Sequence, residues 1–199
     1  MAHRLVIIDN NKKGFRADRK LGFIKAYRDF FGNEQGLHFM PYTQLDLQVL
    51  NDAGGVILSG SKRDIKLRIF KKEIAFILET QKPLLGVCFG HQLIAYAFGI
   101  EREECDKEHG TFPVTIEPGF DLHPPGQIQV ELAHHQAILK SAALEVHFNV
   151  FATTKEAIVQ AMQHKDRPIY GTQFHPETAI ESARPYGMTI LRNFFKLLR

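Results

Sequence analysis

The sequence predicts an α/β fold with a central parallel sheet flanked by helices and an antiparallel or mixed β extension in the second half. Two observations support this prediction. In the first half, short apolar runs of strand length alternate with segments whose apolar residues recur at helical spacing. After Gly99, strand-like runs follow one another across turns without a long helix between them. Strands that alternate with helices favour a parallel sheet, whereas strands in direct succession commonly pair antiparallel.

The first half contains four predicted strands and three predicted helices, the alternation of a flavodoxin-like sheet covered on both faces. The strands are Leu5–Asp9, Leu37–Tyr42, Gly54–Gly60 and Pro83–Val87. The first helix is indicated by the spacing of Phe23, Ile24, Tyr27, Phe30 and Phe31, with Gly32 as its stop. One face of the second helix is marked by Ile65, Ile69, Phe70, Ile74, Ile77 and Leu78, and the third helix runs from Gly90 to Gly99.

The second half contains five strand-like runs and a closing helix. The runs read TFPVTIE, QIQVEL, EVHFNVFATT, AIVQAMQ and PIYGTQF, and we expect them to extend the same sheet. The closing helix, from Pro185 to Arg199, carries Met188, Leu191, Phe195 and Leu198 on one face. No internal repeat and no linker rich in glycine, serine or proline divides the sequence, so we expect a single domain over residues 1–199.

Composition and charge exclude several classes of protein. With 199 residues, 44% of them apolar and 24% charged, the chain is typical of a globular domain that buries roughly 70% of its unfolded surface. The net charge of +3 is too small to favour nucleic acid or a membrane surface as a partner. Two cysteines, Cys88 and Cys105, form no disulfide framework, and neither a signal peptide nor an apolar stretch of ~20 residues is evident. We therefore expect a cytoplasmic protein.

The stretch GVCFG places Cys88 between two glycines, where an apolar strand passes into a helix. The pattern G-x-C-x-G corresponds to the nucleophile elbow of hydrolases, with cysteine in place of serine. Gly86 and Gly90 lack Cβ atoms, so strand and helix can approach closely on either side of the turn. The side chain then points out at the carboxyl end of the sheet, where the helix N-terminus favours its thiolate. A small buried cysteine in a strand is the alternative, and the flanking strand and helix favour the nucleophile.

A thiolate that attacks a carbonyl carbon needs a nearby acid–base group, and His175 in QFHPE is the candidate. It follows an apolar strand, and Glu177 lies two residues on, which in an extended chain places both side chains on one face. Pro176 between them cannot donate to a sheet ladder, so it indicates the end of the strand. Alone, such a pair is more often a surface ion pair, but beside the elbow it predicts a Cys–His–Glu triad.

The combination of GVCFGHQ with a downstream QFHPE resembles the class I glutamine amidotransferases, whose triad runs Cys, His, Glu in that chain order. The resemblance runs from LVIIDNN through GGVILSGS and the elbow to IYGTQFHPE and ILRNFF, so it covers most of the chain. By this resemblance Cys88 is the nucleophile, His175 the general base and acid, and Glu177 the residue that orients the histidine. The length and the ending are most like the free-standing glutaminase subunits of the family.

The resemblance also implies a substrate, a partner and further site residues. L-glutamine is the implied substrate, and a separate ATP-dependent synthetase subunit would receive the ammonia. The backbone N–H groups of Gly60 and Phe89 would bind the oxyanion. Gln92, together with the backbone around His135 and Gln136, would hold the substrate. This hydrolysis needs no metal or organic cofactor.

The loop after the third predicted strand departs from the family pattern. The family has S-G-G-P at this point, whereas the chain reads Ser59-Gly60-Ser61-Lys62, without the second glycine and the proline. We therefore expect the Gly60 N–H to be poorly aimed in the free protein. The adjoining KRDIKLRIFKK holds six basic residues and is ordinarily a solvated helix face. A partner that docks on Lys66, Lys71 and Lys72 could draw the loop into register.

The stretch LAHHQAI departs from synthetase-linked members and is closer to the γ-glutamyl hydrolase branch of the superfamily. Three functions therefore stay open: a glutaminase that serves a synthetase, a self-sufficient γ-glutamyl hydrolase and a non-catalytic regulatory homologue. His134 and His135 are poor candidates for one metal ion, because adjacent side chains of an extended strand point to opposite faces. Cys105 has neither an elbow nor an obvious base, and we expect it to be a spectator.

Overall fold

The structure, a computed structural model, describes residues 5–11, 27, 36–63, 65–66, 68–181 and 185–198. The strands within this part of the chain are β1 (Leu5–Asp9), β2 (Leu37–Pro41), β3 (Val56–Leu58), β4 (Leu84–Val87), β5 (Glu103–Ile116), β6 (Gly126–Ala137), β7 (Phe148–Thr153), β8 (Val159–His164) and β9 (Ile169–Thr172). Seven of them form one sheet in the order β2-β1-β3-β4-β9-β8-β7. The strands from β2 to β9 in that order are parallel, and β8 and β7 add antiparallel pairs. The predicted fold class is thereby confirmed.

Strands β5 and β6 form a separate antiparallel ribbon, which corrects the expectation that every run of the second half extends one sheet. The two strands pair with each other from Glu103 opposite Ala137 to Ile116 opposite Gly126, so neither needs a partner in the central sheet. Apolar side chains on one side of the ribbon join the core against the central sheet: Val114, Ile116, Val130 and Leu132. The ribbon therefore covers part of a sheet face that a helix would otherwise cover.

The helices whose bounds lie within the described residues are α1 (Leu47–Asp52), α2 (Lys71–Glu79), α3 (Phe89–Ala97), α4 (Ala142–His147), α5 (Pro176–Glu181) and α6 (Pro185–Lys196). Short 3₁₀ turns lie at Tyr42–Gln44, Arg68–Phe70 and Lys155–Ala157. The helix predicted around Phe23 to Phe31 lies outside the described residues, apart from Tyr27, which is helical and buried.

The apolar face predicted for the second helix is only partly correct. Phe70 and Ile77 are fully buried, whereas Ile69 and Leu78 are 44% and 45% exposed. The reason is that the α-helix begins at Lys71, after a 3₁₀ turn, so a single helical period does not hold across the whole segment.

Two further predictions in the second half need adjustment. Residues 145–147, expected to open a strand, end α4, whose first turn is capped by the side-chain oxygen of Ser141. In α6 the fully buried face is formed by Ile190, Leu191 and Phe194, while Met188 and Phe195 are half-buried. The predicted stripe was therefore displaced by about one residue from the observed one.

The central sheet is buried on both faces. Along β1, Val6 and Ile8 lie in one apolar cluster and Leu5 and Ile7 in the other, as the two-residue period of a strand requires. The first cluster includes residues of α2 and α3, and the second includes residues of the ribbon and α6. No helix within the described residues is long and apolar enough to cross a bilayer.

Three adjacent parallel strands, β3, β4 and β9, end at one edge of the sheet. Gly60 follows β3, Cys88 follows β4, and His175 lies just beyond β9. Ligands of open α/β sheets bind outside the carboxyl ends of such strands. The fold therefore places the candidate site at this edge.

Candidate active site

Cys88 occupies a strained turn between β4 and α3. Its backbone has φ 51° and ψ −103°, a region that residues with a side chain rarely adopt. A Cβ atom on Gly86 would lie 2.5 Å from the carbonyl carbon and oxygen of Gly90, and one on Gly90 would lie 2.3 Å from Leu58 O. Only glycine fits at either position, which confirms the close approach of strand and helix expected from the sequence.

The Cys88 side chain is buried against a neighbouring amide. Cys88 is 7% exposed, and its backbone N–H donates to Thr172 O at 2.8 Å, which ties the turn to β9. Its sulfur accepts a hydrogen bond from Gln173 Nε2 at 3.5 Å. The sulfur also lies at the N-terminus of α3, where the helix dipole favours a negative charge. Both features favour the thiolate.

His175 and Glu177 form the pair that the sequence suggests, but by a different local geometry. His175 Nδ1 lies 2.7 Å from Glu177 Oε1, and their side chains are 19% and 5% exposed. β9 ends at Thr172, and Pro176 is the first residue of α5, a position that suits its fixed φ. The two residues therefore meet across the start of a helix, and the expectation of one extended strand face is wrong.

Opposing effects act on the protonation of His175. Burial lowers the His175 pKa, but the Glu177 carboxylate, the charge of Cys88 and hydrogen bonds to both side chains together raise it by more, so the net pKa lies well above 6.5. A protonated imidazole is thus stabilised between a carboxylate and a cysteine. This is the arrangement in which a histidine can give a proton to a leaving group.

The backbone of His175 is fixed by contacts with β6 and α6. Its N–H donates to Glu131 O at 3.1 Å. Its carbonyl accepts from Thr178 Oγ1 at 2.8 Å and from the Tyr186 hydroxyl at 3.4 Å. The same hydroxyl accepts from the Glu131 N–H at 3.2 Å, so it links β6 to the turn. The imidazole is therefore presented on a well-anchored segment.

Gly60 lies against both side chains of the Cys–His pair. A Cβ atom at Gly60 would be 3.1 Å from His175 Cε1 and 3.6 Å from Cys88 Cβ. The absence of a side chain there leaves the backbone of the loop next to the sulfur and the imidazole. This is the location in which the sequence places one oxyanion donor, with Phe89, the first residue of α3, as the other.

The loop around Gly60 is held by hydrogen bonds that the sequence did not indicate. Gly60 O accepts from Asn11 Nδ2 at 3.2 Å, and Ser61 Oγ donates to Asn10 O at 2.7 Å. Ser61 Oγ also accepts from the Arg63 N–H at 3.2 Å. The premise that Ser61 adds no constraint to this loop is therefore wrong, because its hydroxyl takes part in two hydrogen bonds that a second glycine could not make.

Of the residues expected to hold substrate, Gln92 and Gln136 are brought together and His135 faces outward. Gln92 is buried, and its Nε2 donates to Gln136 O at 2.6 Å. The Gln136 side chain is half-buried and hydrogen-bonded to Glu104, whereas His135 is exposed. Gln92 therefore supports the backbone of the 135–136 segment in this structure.

Two polar residues near the sulfur were missed by sequence reasoning. Gln173 contacts Cys88 directly, and Arg102 Nη1 donates to Gln92 Oε1 at 3.1 Å. Gln173 stands two residues before His175 in TQFHPE, so its nearness to the histidine could have signalled it. Arg102 gives no such signal, because its partner lies across the turn at Gly99 and the contact depends on tertiary packing.

Cys105 has a neighbour that its sequence context did not reveal. Its sulfur lies 3.8 Å from His134 Nδ1, and His134 Nε2 lies 3.0 Å from Glu108 Oε2. The expectation that no base lies near Cys105 is therefore wrong. Burial, followed by the charges of His175 and His135, lowers the His134 pKa to about 4, so its ring is neutral near pH 7. Among the described residues no group of three or more His, Cys, Asp or Glu side chains could hold a metal ion.

A cavity of about 450 Å³ opens on the ribbon side of His175. Its lining combines the catalytic edge with the ribbon and α5: His109, Gly110, Glu131, Leu132, Ala133, His175 and Thr178. The imidazole is thus reached from a space large enough for a small polar molecule.

Comparison with known proteins agrees with this geometry. The sequence model of the family described as glutamine amidotransferase class-I matches residues 26–198. The glutamine-hydrolysing subunit of GMP synthase from Methanocaldococcus jannaschii is 33% identical over 198 residues, 97% of this chain and 96% of that protein. The anthranilate synthase component 2 of Methanothermobacter thermautotrophicus is 34% identical over 120 residues, 59% of this chain and 59% of that protein.

A solved structure supports the same relationship. The crystal structure of a protein described as a GMP synthase subunit, from Thermoplasma acidophilum, has a TM-score of 0.81 at 27% identity, and the match covers 99% of this chain and 94% of that one. The resemblance to the free-standing GMP synthase glutaminase, indicated by length and by the ending PIYGTQFHPE…ILRNFF, is confirmed by these relatives. The protein belongs to the class I glutamine amidotransferase family.

Proposed function

We propose that this protein is the glutaminase subunit of a GMP synthase, which hydrolyses the side-chain amide of glutamine and supplies ammonia to a synthetase on another chain. One observation carries the proposal. The thiol of Cys88, on its strained elbow, shares the carboxyl edge of the sheet with a histidine held at 2.7 Å from a buried carboxylate. These are the parts that a thioester mechanism needs.

The reaction begins with attack of the Cys88 thiolate on the amide carbon of glutamine. The amide oxygen gains negative charge, which the N–H groups of Gly60 and Phe89 stabilise; one such donor is typically worth about 10²–10³ in rate. Protonated His175 gives its proton to the departing nitrogen, the C–N bond breaks, and ammonia leaves. The γ-glutamyl group remains on sulfur as a thioester.

The second half of the reaction restores the enzyme. Neutral His175 takes a proton from a water molecule, and the resulting hydroxide attacks the thioester carbon. The C–S bond then breaks, glutamate leaves, and the Cys88 thiolate and the protonated His175 are regenerated. Glu177 stays ionised throughout and keeps His175 Nδ1 oriented, as the acid of a serine triad does.

The substrate is proposed to lie between the elbow and the start of the ribbon. Gln92 and the backbone around His135 and Gln136 would grip its α-amino and carboxylate groups. Support comes from the hydrogen bond of Gln92 Nε2 to Gln136 O, which fixes the 135–136 backbone close to α3. The exposed His135 side chain leaves only its backbone for this role.

The ammonia acceptor is proposed to be a separate ATP-dependent synthetase. The relatives that match over nearly the whole chain carry the name of the glutamine-hydrolysing subunit of GMP synthase. Within the 199 residues no Gly-rich phosphate loop is evident. The acceptor chemistry therefore needs a second chain.

The test is to measure ammonia and glutamate release from glutamine and from γ-glutamyl amines, with and without candidate synthetases. We expect release from glutamine, loss of that release in Cys88→Ala, and labelling of Cys88 but not Cys105 by an electrophilic glutamine analogue. Preference for γ-glutamyl amines would favour a self-sufficient hydrolase, to which the wording AHHQAI also points. Release from neither substrate would indicate a non-catalytic homologue.

A further inference from the structure

A chain of side-chain hydrogen bonds runs from the Cys88 sulfur to an arginine. Gln173 Nε2 donates to Cys88 Sγ at 3.5 Å. Gln92 Nε2 donates to Gln173 Oε1 at 3.0 Å, and Arg102 Nη1 donates to Gln92 Oε1 at 3.1 Å. Gln92 and Gln173 are 3% and 0% exposed, so bulk water does not compete for these hydrogen bonds.

The partners at the far end of this chain fix the direction of every hydrogen bond in it. A guanidinium can only donate, so Arg102 selects the oxygen of Gln92. A backbone carbonyl can only accept, so Gln136 O selects the Gln92 NH₂ group at 2.6 Å. The second hydrogen of that NH₂ then meets Gln173 Oε1, and the Gln173 NH₂ is left facing the sulfur. An N–H donor at this point favours thiolate over thiol, because it stabilises the charged form.

Arg102 also reaches the loop that carries Gly60. Its Nη2 donates to Arg63 O at 3.4 Å, and the Arg63 N–H in turn donates to Ser61 Oγ. One planar guanidinium therefore contacts both the loop after β3 and the glutamine of α3. A lysine could not span both, since it presents a single point charge in place of a rigid fork.

We propose that Arg102 is a positioning residue of the active site, which acts through Gln92 and Gln173 to direct an amide N–H at the Cys88 sulfur and so favours its thiolate. The inference rests on the proposed function in that Cys88 is taken as the nucleophile. The ionisable groups facing Cys88 are His175, after β9, with Glu177 of α5 behind it; His134 of β6 acts on His175. All three are left unchanged in the variants below.

The experiment measures the rate of Cys88 alkylation by iodoacetamide as a function of pH, in a Cys105→Ala background, so that glutamine turnover is not needed. The variants are Arg102→Met, Gln173→Leu and the double variant. We expect the pH midpoint of the rate to rise by about 0.5–1 unit in each single variant. The double variant should shift no further than the larger single one, because both changes break the same chain of hydrogen bonds.

Two controls separate positioning from a general structural effect. Arg102→Lys keeps the charge and one donor, so its midpoint should lie between those of the parent and Arg102→Met. Arg192→Met removes an exposed arginine of α6 and should leave the midpoint unchanged. Circular dichroism checks that each variant is folded, and if Arg102→Met does not fold, Arg102→Lys and Gln173→Leu still decide the question.

The outcomes are distinct. An unchanged midpoint in Arg102→Met, or additive shifts in the double variant, would overturn the proposal. So would parent-like behaviour of Gln173→Leu or of a folded Arg102→Lys that stands in for an unfolded Arg102→Met. If the proposed nucleophile itself were wrong, Cys88 would react slowly and with the midpoint of an ordinary thiol, near about 8.5, already in the parent. Failure of the inference and failure of the proposed function therefore leave different traces.

Discussion

At the scale of single residues, the site depends on a cysteine whose backbone is strained. A positive φ at a residue with a side chain costs of order 1–3 kcal/mol and persists only where the surroundings enforce it. For Cys88 the enforcement is visible: its N–H donates to Thr172 O at 2.8 Å and its carbonyl accepts from the Gln92 N–H at 3.1 Å. The strain thus holds the sulfur at the sheet edge, facing Gln173.

Replacing Glu177 by glutamine tests the orienting role. We expect Glu177→Gln to fold normally and to lose about 10²–10⁴ in kcat, because an amide stabilises the imidazolium less than a carboxylate does. Cys88→Ala should lose more. Steady-state glutamate release, with circular dichroism as the folding control, measures both. Full activity in Glu177→Gln would reduce the site to a Cys–His dyad.

Replacing Gly90 by alanine tests the packing of the elbow. Alanine has the better helix propensity by about 1 kcal/mol, so helix formation alone predicts a gain in stability. The new Cβ would instead lie 2.3 Å from Leu58 O, and overpacking of this kind costs about 1–3 kcal/mol or more. We therefore expect a lower Tm and loss of glutaminase activity.

The control for the elbow is Gly99→Ala. A Cβ at Gly99 meets no atom within 4 Å, although φ +82° makes alanine strained there. Its cost should be about 1 kcal/mol, without loss of activity. A Tm for Gly90→Ala above that of Gly99→Ala would contradict the packing argument.

The residues that could be predicted are those whose chemistry is local in sequence. Cys88 with its glycines, and His175 with Glu177, each lie within five residues of chain that carry their own signal. Arg102 and Gln173 could not be assigned in this way, because their roles depend on contacts with Gln92 that the fold creates across β4, α3 and β9. Sequence spacing contains no information on such amide-to-amide hydrogen bonds.

At the scale of elements, α2 carries an unusual buried carboxyl in its first turn. Glu73 is fully buried, its Oε1 accepts from Asn10 Nδ2 at 3.0 Å, and its Oε2 has no hydrogen-bond partner among the described residues. Burial raises the Glu73 pKa to about 8, and the Asn10 hydrogen bond lowers it by less. The Asn10 N–H donates to Ser59 Oγ, so α2 and the loop before Gly60 are linked through one asparagine.

Glu73→Gln should stabilise the protein, and the gain should increase with pH. The folded-state pKa of about 8 lies above the reference value of 4.5. The contribution of Glu73 to stability is therefore fully present below about pH 4.5 and is lost as the pH rises towards 8, by ~1.4 kcal/mol per pH unit at most. Glutamine does not ionise, so the Tm difference between variant and parent should widen from about pH 5 to pH 8.

The matched control is Glu79→Gln, on the exposed side of the same helix. It removes a charge of the same sign without touching a buried group, so its Tm difference should stay nearly constant with pH. A Glu73→Gln effect that is equally flat would show that the carboxyl is not buried in its neutral form.

Elements also show where periodicity ceases to decide the fold. The parallel strands were predictable because each is a short apolar run between helical patterns. The ribbon was not, because strand-like spacing in β5 and β6 is the same whether the strands join the central sheet or pair with each other. What decides is the mutual pairing of two long strands, of 14 and 12 residues, together with the burial of one side against the sheet.

At the scale of the whole molecule, the site is assembled by topology. Gly60, Cys88 and His175 are far apart in the chain and meet because β3, β4 and β9 are adjacent and parallel. The ribbon then closes the outer side, since Glu131 of β6 accepts the His175 N–H. The antiparallel strands β8 and β7 lie beyond β9, away from the catalytic edge between β3 and β9.

The same assembly predicts that the isolated chain hydrolyses glutamine without its synthetase. A poorly aimed loop was expected from the missing glycine and proline, but Asn11 Nδ2 and the Ser61 hydroxyl hold the loop at 3.2 Å and 2.7 Å. Ser61→Ala should therefore lower kcat several-fold with little change in KM, because oxyanion donors act on the transition state. A docked synthetase should add to the rate, and contacts through the exposed Lys71 and Lys72 should weaken with salt beyond a screening length of ~8 Å. Glutamate release by the isolated chain, measured with and without the synthetase at two salt concentrations, decides the matter: activity that appears only with the partner would mean that the loop is not competent alone.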